Sequence, residues 1–319
     1  MVINRRQTIS LLAASCCTAW AGSDDFGPPI RLKPQRVAKG IYYVQGLPAV
    51  GSAENGNFVS NAGIVITRNS VVLIDALGSP ALAERLVQAV RTLTPLPISH
   101  VIVSHYHADH IYGLQVFKSL GARIIAQRAA AEYLASEVAA RRLADSRITL
   151  APWVDEHTRL VPADEWVDSA LRLSIGGVVF ELQAAGPAHT ADDLVVYLPQ
   201  QRVLFSGDLF FRARLPFVGQ SDSRSWLAAL EALSRKDAAV VIPGHGPHST
   251  QVATDLTLTR DYLSHLRRTM GAAAREMLPF DEAYRQADWS RFEGVALFRE
   301  VNRMNAYNTY LLMEQEVSR

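Results

Sequence analysis

The chain has 319 residues, of which 49% are hydrophobic and 20% are charged, so its composition is that of a globular protein with enough length for a large core. Its 32 lysines and arginines almost balance its 31 aspartates and glutamates, which leaves a formal net charge of +1. This balance, without any dense basic run, excludes nucleic acid and an anionic membrane as expected partners.

The first 21 residues have the pattern of an export signal. Arg5 and Arg6 precede an apolar stretch at residues 9–19, and Ala19-Trp20-Ala21 is a small-x-small cleavage site. The paired arginines indicate the twin-arginine route, and hence a periplasmic location. The apolar stretch is about half of the ~20 residues that a membrane span requires, so no span is predicted.

Both cysteines, Cys16 and Cys17, lie within this leader. Cys16 follows Ala13-Ala14-Ser15, and a lipoprotein acceptor at Cys16 is the alternative interpretation of the segment. If the leader is removed, the mature chain has no disulfide and no thiolate ligand for a metal.

Short apolar runs separated by turns predict the strands of the first half of the chain, and 3.6-residue periodicity predicts its helices. The expected strands are residues 41–45, 63–67, 71–75, 100–103 and 123–126, and the expected helices are 81–92, 113–120 and 127–143. The same kind of pattern in the second half predicts strands at 171–175, 178–183, 194–198, 202–206 and 238–242 and a helix at 223–234. Helices are expected after residue 250, at 252–277, 279–287 and 294–317. This order predicts an α/β fold with two sheets packed face to face and helices outside.

Five histidines and two aspartates stand where predicted strands end, which is where a scaffold presents functional groups. They are His105, His107, Asp109, His110, His189, Asp208 and His245. The first four belong to one segment, Ser104-His105-Tyr106-His107-Ala108-Asp109-His110, which directly follows the predicted strand 100–103. Imidazole and carboxylate donors without thiolate favour zinc, with manganese or iron(II) as alternatives.

The spacing of the donors predicts two adjacent metal sites. His105 and His107 are two residues apart on a tight loop and can converge on one ion, with His189 as the third nitrogen. Asp109 and His110 can face the other side of the loop, where His245 would join them. Asp208 supplies a carboxylate able to bridge the two ions.

The remaining histidines, His100, His157, His248 and His265, are expected to be structural or surface residues. His248 is close enough in sequence to His245 to be a rival ligand.

The His-x-His-x-Asp-His motif and the three later donors resemble the metallo-β-lactamase superfamily, across about residues 36–251. The resemblance implies a four-layer αβ/βα sandwich, expected at residues 28–256, followed by a C-terminal helical extension at 257–319. It also implies that His105, His107 and His189 hold the first zinc ion, that Asp109, His110 and His245 hold the second, and that Asp208 bridges them. Asp75 matches an aspartate that orients the ligand loop in this superfamily.

The implied chemistry is hydrolysis of a small molecule. A hydroxide held between the two zinc ions attacks a carbonyl carbon, while Asp109 binds the second zinc and accepts a hydrogen bond from the nucleophile. Because position 208 is aspartate, the ligand set resembles that of the glyoxalase II-like thioesterases, which predicts a thioester or ester substrate. The β-lactamases with cysteine at this position carry a lysine three residues later, where this chain has Phe211. Arg212 and Arg214 follow closely but are expected to be solvated surface residues.

Three other functions stay open. A class B β-lactamase fits the expected compartment, and a mononuclear iron sulfur dioxygenase would use the same His105, His107 and His189. The segments around Asp208 and His189 also resemble exported zinc metallohydrolases associated with quinoprotein systems. The third alternative is therefore a metal-dependent binding protein for a quinoprotein partner, without catalysis.

The leader yields a direct test of export. Replacing Arg5 and Arg6 with lysine should leave precursor in the cytoplasm, because the twin-arginine route requires the arginine pair whereas the general secretory route accepts any positive charge. Cell fractionation followed by immunoblotting measures the distribution. Unchanged periplasmic delivery of the double variant would assign the protein to the general secretory route.

Overall fold

A computed structural model describes residues 30–219 and 221–318. The predicted export signal at residues 1–21, including both cysteines, lies outside the described residues. No helix within the described ranges is long and apolar enough to cross a membrane.

Twelve strands and nine helices are found in the described residues, and their order alternates as expected for an α/β protein. The strands are β1 (Gln35–Ala38), β2 (Ile41–Val44), β3 (Ala62–Ile66), β4 (Val71–Ile74), β5 (Ile98–Ile102), β6 (Arg123–Gln127), β7 (Glu165–Val167), β8 (Ala170–Ile175), β9 (Val178–Ala184), β10 (Leu194–Leu198), β11 (Val203–Phe211) and β12 (Val240–His245). The helices are α1 (Pro80–Leu93), α2 (Ala108–Ile111), α3 (Leu114–Ser119), α4 (Ala130–Leu134), α5 (Glu137–Thr149), α6 (Ser223–Ser234), α7 (Val252–Arg275), α8 (Phe280–Gln286) and α9 (Phe298–Val317).

The first sheet contains seven strands in sequential order from β1 to β7. Its first four strands form an antiparallel meander, and β4 to β7 are parallel with helices in the crossovers. All four residues of β4 are buried, because both faces of the sheet are covered. The carboxyl ends of β4 and β5 therefore meet at one edge, where Asp75 and the histidine loop emerge.

The second sheet contains five strands in the order β12-β11-β10-β9-β8. Strands β11 and β12 are parallel, while the others pair antiparallel. All nine residues of β11 are buried, and the strand extends five residues beyond the predicted end at residue 206. Asp208 therefore lies within a strand, beside the carboxyl end of β12.

The two sheets pack face to face around apolar side chains that include Val65, Val72, Phe180, Val196 and Phe205. Helices α1 and α3 cover the outer face of the first sheet, and α6 and α7 cover that of the second. The observed layers confirm the predicted α/β sandwich with C-terminal helices.

Two parts of the sequence prediction were wrong in detail. The helix expected at residues 127–143 is two helices, α4 and α5, and Ser136 caps the second by accepting a hydrogen bond from the Ala139 amide. An N-cap serine starts a new helix because it satisfies a free amide and takes an extended backbone. The short strands β1 and β7 were not predicted, since three or four residues carry little periodicity.

The C-terminal helices are continuous with the sandwich. Helix α7 runs without a break across the boundary expected at residues 256 and 257. Its Thr259 hydroxyl donates to the Phe211 carbonyl at 3.1 Å and accepts from the Phe211 amide at 3.3 Å. The helical extension is thereby bonded to the strand that carries Asp208.

The contact between the sheets predicts a cost for enlarging Gly63. A Cβ atom on Gly63 of β3 would lie 2.3 Å from the ring of Phe205 on β11. We expect Gly63→Ala to lower the free energy of unfolding by about 1–3 kcal/mol, because the sheets must separate to admit the methyl group. Urea denaturation measures the change, with Gly294→Ala as the control, because a Cβ atom there meets nothing within 4 Å. Equal stability of the two variants would contradict the packing described here.

Candidate metal centre

The histidine loop starts where β5 ends, at the carboxyl edge of the first sheet. The Ser104 amide donates to Asp75 Oδ1 at 2.7 Å, which fixes the first turn of the loop. The backbone is extended at His107, and the short helix α2 begins at the next residue. This change of conformation places Asp109 and His110 on a helical turn, where the His110 ring packs beside that of His105 with 4.4 Å between centroids.

The first group of donors consists of three imidazoles and one carboxylate: His105, His107, His189 and Asp208. His107 Nδ1 lies 3.1 Å from His105 Nε2 and 3.0 Å from His189 Nε2. Two nitrogens that bind one tetrahedral zinc ion at about 2.0–2.1 Å are about 3.3–3.4 Å apart. Both distances are therefore within a few tenths of an ångström of the spacing that ligands of a single ion require, and all donor atoms of the group lie within 4.8 Å of one another.

The second group consists of Asp109, His110 and His245. Asp109 Oδ2 lies 3.5 Å from His110 Nε2 and 3.3 Å from His245 Nε2. His245 ends β12, so this group joins a residue of the second sheet to two residues of the first.

The Asp208 carboxylate lies between the two groups. Its Oδ2 is 3.4 Å from His189 Nε2 and 3.2 Å from His245 Nε2, and its Oδ1 is 3.4 Å from His110 Nε2. Its Oδ2 is also 3.8 Å from His105 Nε2, so the carboxylate faces two imidazoles of the first group and two of the second. Its position is that expected for a bridging ligand.

Two unpartnered atoms test whether the residues fit a metal pair. His110 Nε2 and Asp208 Oδ1 are buried and have no hydrogen-bond partner among the described residues. Buried polar atoms normally have a partner, because leaving them unsatisfied is costly. Both atoms face the donor groups, where a cation would satisfy them, and a set of imidazoles and carboxylates suits zinc, with manganese or iron(II) as alternatives.

The protonation of the imidazoles agrees with this fit. Burial, assisted by His189, lowers the pKa of His107 to about 3, and burial lowers the pKa of His189 to about 4. Burial also opposes the charge of His110, but the nearby carboxylates, led by Asp109, raise its pKa well above the ordinary value. A positive charge is therefore favoured beside these carboxylates, and a bound cation can replace the proton.

Asp75 orients both the loop and one donor. It directly follows β4 in a left-handed conformation with φ of 66°, and its Oδ2 lies 2.8 Å from the Ser104 hydroxyl and 2.9 Å from His110 Nδ1. Since a carboxylate only accepts, His110 Nδ1 carries the proton and Nε2 is left free for a metal. Asp75 therefore has the orienting position that the sequence resemblance implied.

Further polar side chains bind the loops to one another. Asn61 Nδ2 donates to the carbonyls of Pro243 and Gly246 at 2.7 and 2.8 Å, which holds the turn that carries His245. Asp192 Oδ2 accepts from the Tyr106 amide at 2.8 Å, which joins the loop after β9 to the histidine loop. Sequence reasoning missed both residues, because their partners are more than 80 positions away.

Gly244 is required by the close approach of Asp208. A Cβ atom at position 244 would lie 1.9 Å from Asp208 Oδ1. The Pro-Gly-His segment of β12 therefore needs glycine beside the carboxylate.

Aromatic rings restrain the imidazoles from behind. The ring of Phe211 stacks on that of His245 with 5.2 Å between centroids and an interplanar angle of 5°. Trp226 lies 5.0 Å from His189 and donates its indole hydrogen to the Leu209 carbonyl at 2.9 Å. These contacts limit ring rotation, and the sequence carried no signal for either of them.

A pocket of about 350 Å³ opens onto both donor groups. Part of its lining comes from the loop between β2 and β3, and another part from Phe217 and helix α9. Helix α9 contributes Glu300, Val301 and Met304, so the C-terminal extension reaches the site.

Arg214 is in a different place from the one predicted. It is only 5% exposed and lines the pocket beside His245, because the chain after β11 turns inward and pairs with Ala296. The expectation of a solvated surface residue was therefore wrong for Arg214. Arg212 is half-buried and forms an ion pair with Asp255.

The other histidines lie outside both donor groups. His248 contacts the Tyr43 hydroxyl at 3.3 Å, and His265 packs against Trp289 on the C-terminal helices. His100 and His157 also belong to neither group.

Comparison with known families agrees with this geometry. The family model described as the metallo-β-lactamase superfamily matches residues 55–245, which include all seven donors. The chain belongs to the metallo-β-lactamase superfamily. It is accordingly a hydrolase of that superfamily, with side chains that can hold metal ions.

Individual relatives cover different parts of the chain. A metallo-β-lactamase type 2 from Bacillus cereus is 26% identical over 198 residues, which are 60% of this chain and 69% of the relative. A linear primary-alkylsulfatase from Pseudomonas sp. is 25% identical over 232 residues, which are 61% of this chain but only 44% of that protein. The solved structure of a metallo-β-lactamase from Pontibacter korlensis superposes with a TM-score of 0.59 at 25% identity, covering 73% of this chain and 99% of that one.

The bond between Asp75 and His110 predicts a selective loss of metal affinity. In Asp75→Asn the amide nitrogen can face His110 Nδ1, which removes the acceptor for the Nδ1 hydrogen. The hydrogen can then move to His110 Nε2, the atom proposed to bind the metal. We therefore expect the zinc affinity of the second site to fall by about 10–100-fold. Competition titration against a chromophoric chelator measures the two sites. Asp255→Asn is the matched control, because Asp255 pairs with Arg212 away from the donors. An unchanged second affinity in Asp75→Asn would contradict the orienting role.

Proposed function

We propose that this protein is a dinuclear zinc hydrolase that cleaves a carbonyl substrate, most naturally a thioester or an ester. The observation that carries the proposal is the position of Asp208, whose carboxylate lies within 3.8 Å of four imidazoles from two donor groups. A structural zinc site needs only four ligands in a closed shell, whereas seven donors beside an open pocket suit catalysis. All seven are proposed as metal ligands: His105, His107, His189, Asp109, His110, Asp208 and His245.

Different residues of the chain have different proposed roles in hydrolysis. When bound, the metal pair lowers the pKa of water to roughly 7 and so supplies a nucleophile at neutral pH. The Asp109 side chain is 20% exposed on the pocket side, whereas those of His110 and Asp208 are almost fully buried. We therefore propose that Asp109 accepts a hydrogen bond from the attacking water, which makes it our candidate catalytic residue. Asp75 and the stacked Phe211 keep the imidazoles in orientation.

Aspartate at position 208 supports a thioester or ester over a β-lactam. Phe211 occupies the position where the cysteine-containing β-lactamases have a lysine, and its ring is stacked on His245. It offers no charge for the carboxylate of a lactam. The substrate class is therefore proposed from the donor set and from this residue together.

A class B β-lactamase is the second candidate. Its support is the similarity to the Bacillus cereus enzyme and the presence of Arg214 in the pocket, where a guanidinium can take the place of the missing lysine. The similarity to an alkylsulfatase adds sulfate esters to the substrates that need testing. The iron sulfur dioxygenase alternative uses only the first donor group, and metal analysis separates it.

We also propose that the protein acts in the periplasm after twin-arginine export, on a small-molecule substrate, and that it associates with a quinoprotein system. The sequence of the leader and the resemblance of the segments around His189 and Asp208 support these proposals.

Metal analysis and a substrate panel test the function together. We expect the purified protein to hold close to two zinc equivalents and to hydrolyse an acylated small thiol with kcat/KM in the usual enzymatic range of about 10⁴–10⁸ M⁻¹s⁻¹. Penicillins, carbapenems and alkyl sulfates should be slow. Asp208→Ala removes the carboxylate that both proposed metal sites share. We therefore expect a rate lower by several orders of magnitude, with the second zinc lost first.

Asp237→Ala serves as the control, because Asp237 pairs with Arg202 at the surface. One equivalent of iron per chain, together with oxygen uptake during turnover, would identify the protein as a mononuclear iron sulfur dioxygenase instead. Efficient carbapenem hydrolysis without any thioester hydrolysis would reverse the order of the two candidates.

A further inference from the structure

A second cavity lies between helix α6 and the outer face of the second sheet. Its volume is about 390 Å³, within the range of about 300–1,000 Å³ that is typical of ligand sites. The buried side chains of Val195, Leu204 and Leu209, on β10 and β11, form its floor. It shares no lining residue with the pocket that opens onto the donor groups, so it is separate from the candidate active site.

Small side chains leave this space open. The cavity is lined from the helix by Ala228, Ala229 and Ala232 and from the end of β9 by Ala184 and Ala185. Helices that cover a sheet normally fill the interface to close packing, as the fully buried Trp226 does one turn earlier on α6. Alanine on both sides instead leaves apolar surface that the chain does not cover, which is the lining that an apolar ligand requires.

Lys236, two residues after α6, supplies a positive charge to this cavity. It also lines a neighbouring pocket of about 300 Å³ along β8 and β9, so it lies where the two spaces join. Among the described residues no carboxylate lies within 4 Å of its ammonium group, which is 5.8 Å from the centre of the Tyr197 ring. Arg172 and Glu181 of the neighbouring pocket pair with each other at 2.9 Å. The unpaired charge at the junction is therefore positive and complements an anionic group.

The cavity and the metal centre share the same supporting elements. Leu209 of the cavity floor directly follows Asp208 on β11. Trp226 of α6 donates its indole hydrogen to the Leu209 carbonyl at 2.9 Å, and its ring lies 5.0 Å from that of His189. A ligand between α6 and the sheet would therefore contact the helix that restrains His189, without contacting any of the seven donors.

We propose that this second cavity binds a medium-chain fatty carboxylate, with its chain between α6 and the sheet and its carboxylate at Lys236. An apolar groove that ends at an unpaired ammonium group matches a molecule with an apolar chain and one anionic end. The bound chain covers the alanine-lined surface and adds contacts that hold α6 on the sheet. The site is independent of the proposed reaction, because the two pockets have no residue in common.

Calorimetric titration of the metal-loaded protein tests the two parts of the ligand. Octanoate should bind about tenfold more tightly than hexanoate, because each buried methylene group contributes about fourfold in affinity. Lys236→Gln should weaken octanoate binding by about threefold to tenfold and leave neutral N-methyloctanamide unchanged, because only the anion loses a charged partner. Arg235→Gln is the matched control, since it removes the same charge from an adjacent arginine that is paired with Glu231, and it should leave octanoate affinity unchanged.

Hydrogen exchange measured by mass spectrometry locates the bound chain. Octanoate should slow amide exchange in peptides that cover α6 and Lys236, because the chain holds the helix on the sheet. Protection confined to peptides of the histidine loop would place the carboxylate at the donor groups and overturn the proposal.

Filling the groove tests the site from the opposite direction. Ala229→Leu adds three carbon atoms on the cavity side of α6 and should lower the affinity for octanoate and for N-methyloctanamide by about tenfold or more, because the added atoms take the place of the chain. Ala232→Leu, on the more exposed side of the same groove, provides a second measure should Ala229→Leu unfold. Ala253→Leu, at an exposed site in the first turn of α7, is the control and should change neither affinity. Wild-type affinity for octanoate in the groove-filling variants and in Lys236→Gln would overturn the proposal, whatever substrate the metal centre hydrolyses.

Discussion

The rest of the site depends on one buried carboxylate, that of Asp208. It is surrounded by imidazoles at 3.2–3.8 Å, and one of its oxygens has no hydrogen-bond partner among the described residues. An anion in this position is tolerated only when positive charge is brought to it. The loops that carry the histidines, the glycine at position 244 and the aromatic rings behind the imidazoles are all arranged around this requirement.

The two sheets meet this requirement by different means. A single loop that follows β5 of the first sheet carries four donors within six consecutive residues, His105 to His110. The second sheet carries the other three donors one at a time, on strands β11 and β12 and on the loop after β9. Asn61 binds these two parts together through the turn that carries His245, whereas Asp75 fixes the histidine loop within the first sheet. The metal centre is therefore a property of the packed sandwich and of no single segment.

The walls of the pocket come from parts of the chain that carry none of the seven donors. The loop between β2 and β3 lines one part of the pocket, and α9 lines another. Because α9 is bonded to the segment after β11, the charge of Arg214 and the apolar surface of Met304 are positioned by the same contacts. The donor groups and most of the pocket lining therefore come from separate segments of the chain.

The sequence by itself determined the fold class and the seven donors, because strand-end histidines and aspartates at short spacings are a local pattern that survives in the linear chain. The orienting position of Asp75 followed from the same motif. Only the tertiary structure decided the environment of Arg214, the division of residues 127–143 into two helices and the reach of α9 into the pocket. Burial of an arginine depends on which distant segments close over it, here Ala49 and Ala296, and no spacing in the sequence encodes that contact. The same reason kept Asn61 and Trp226 hidden, since Asn61 meets its partners only when the two sheets pack and Trp226 only when α6 packs on the second sheet.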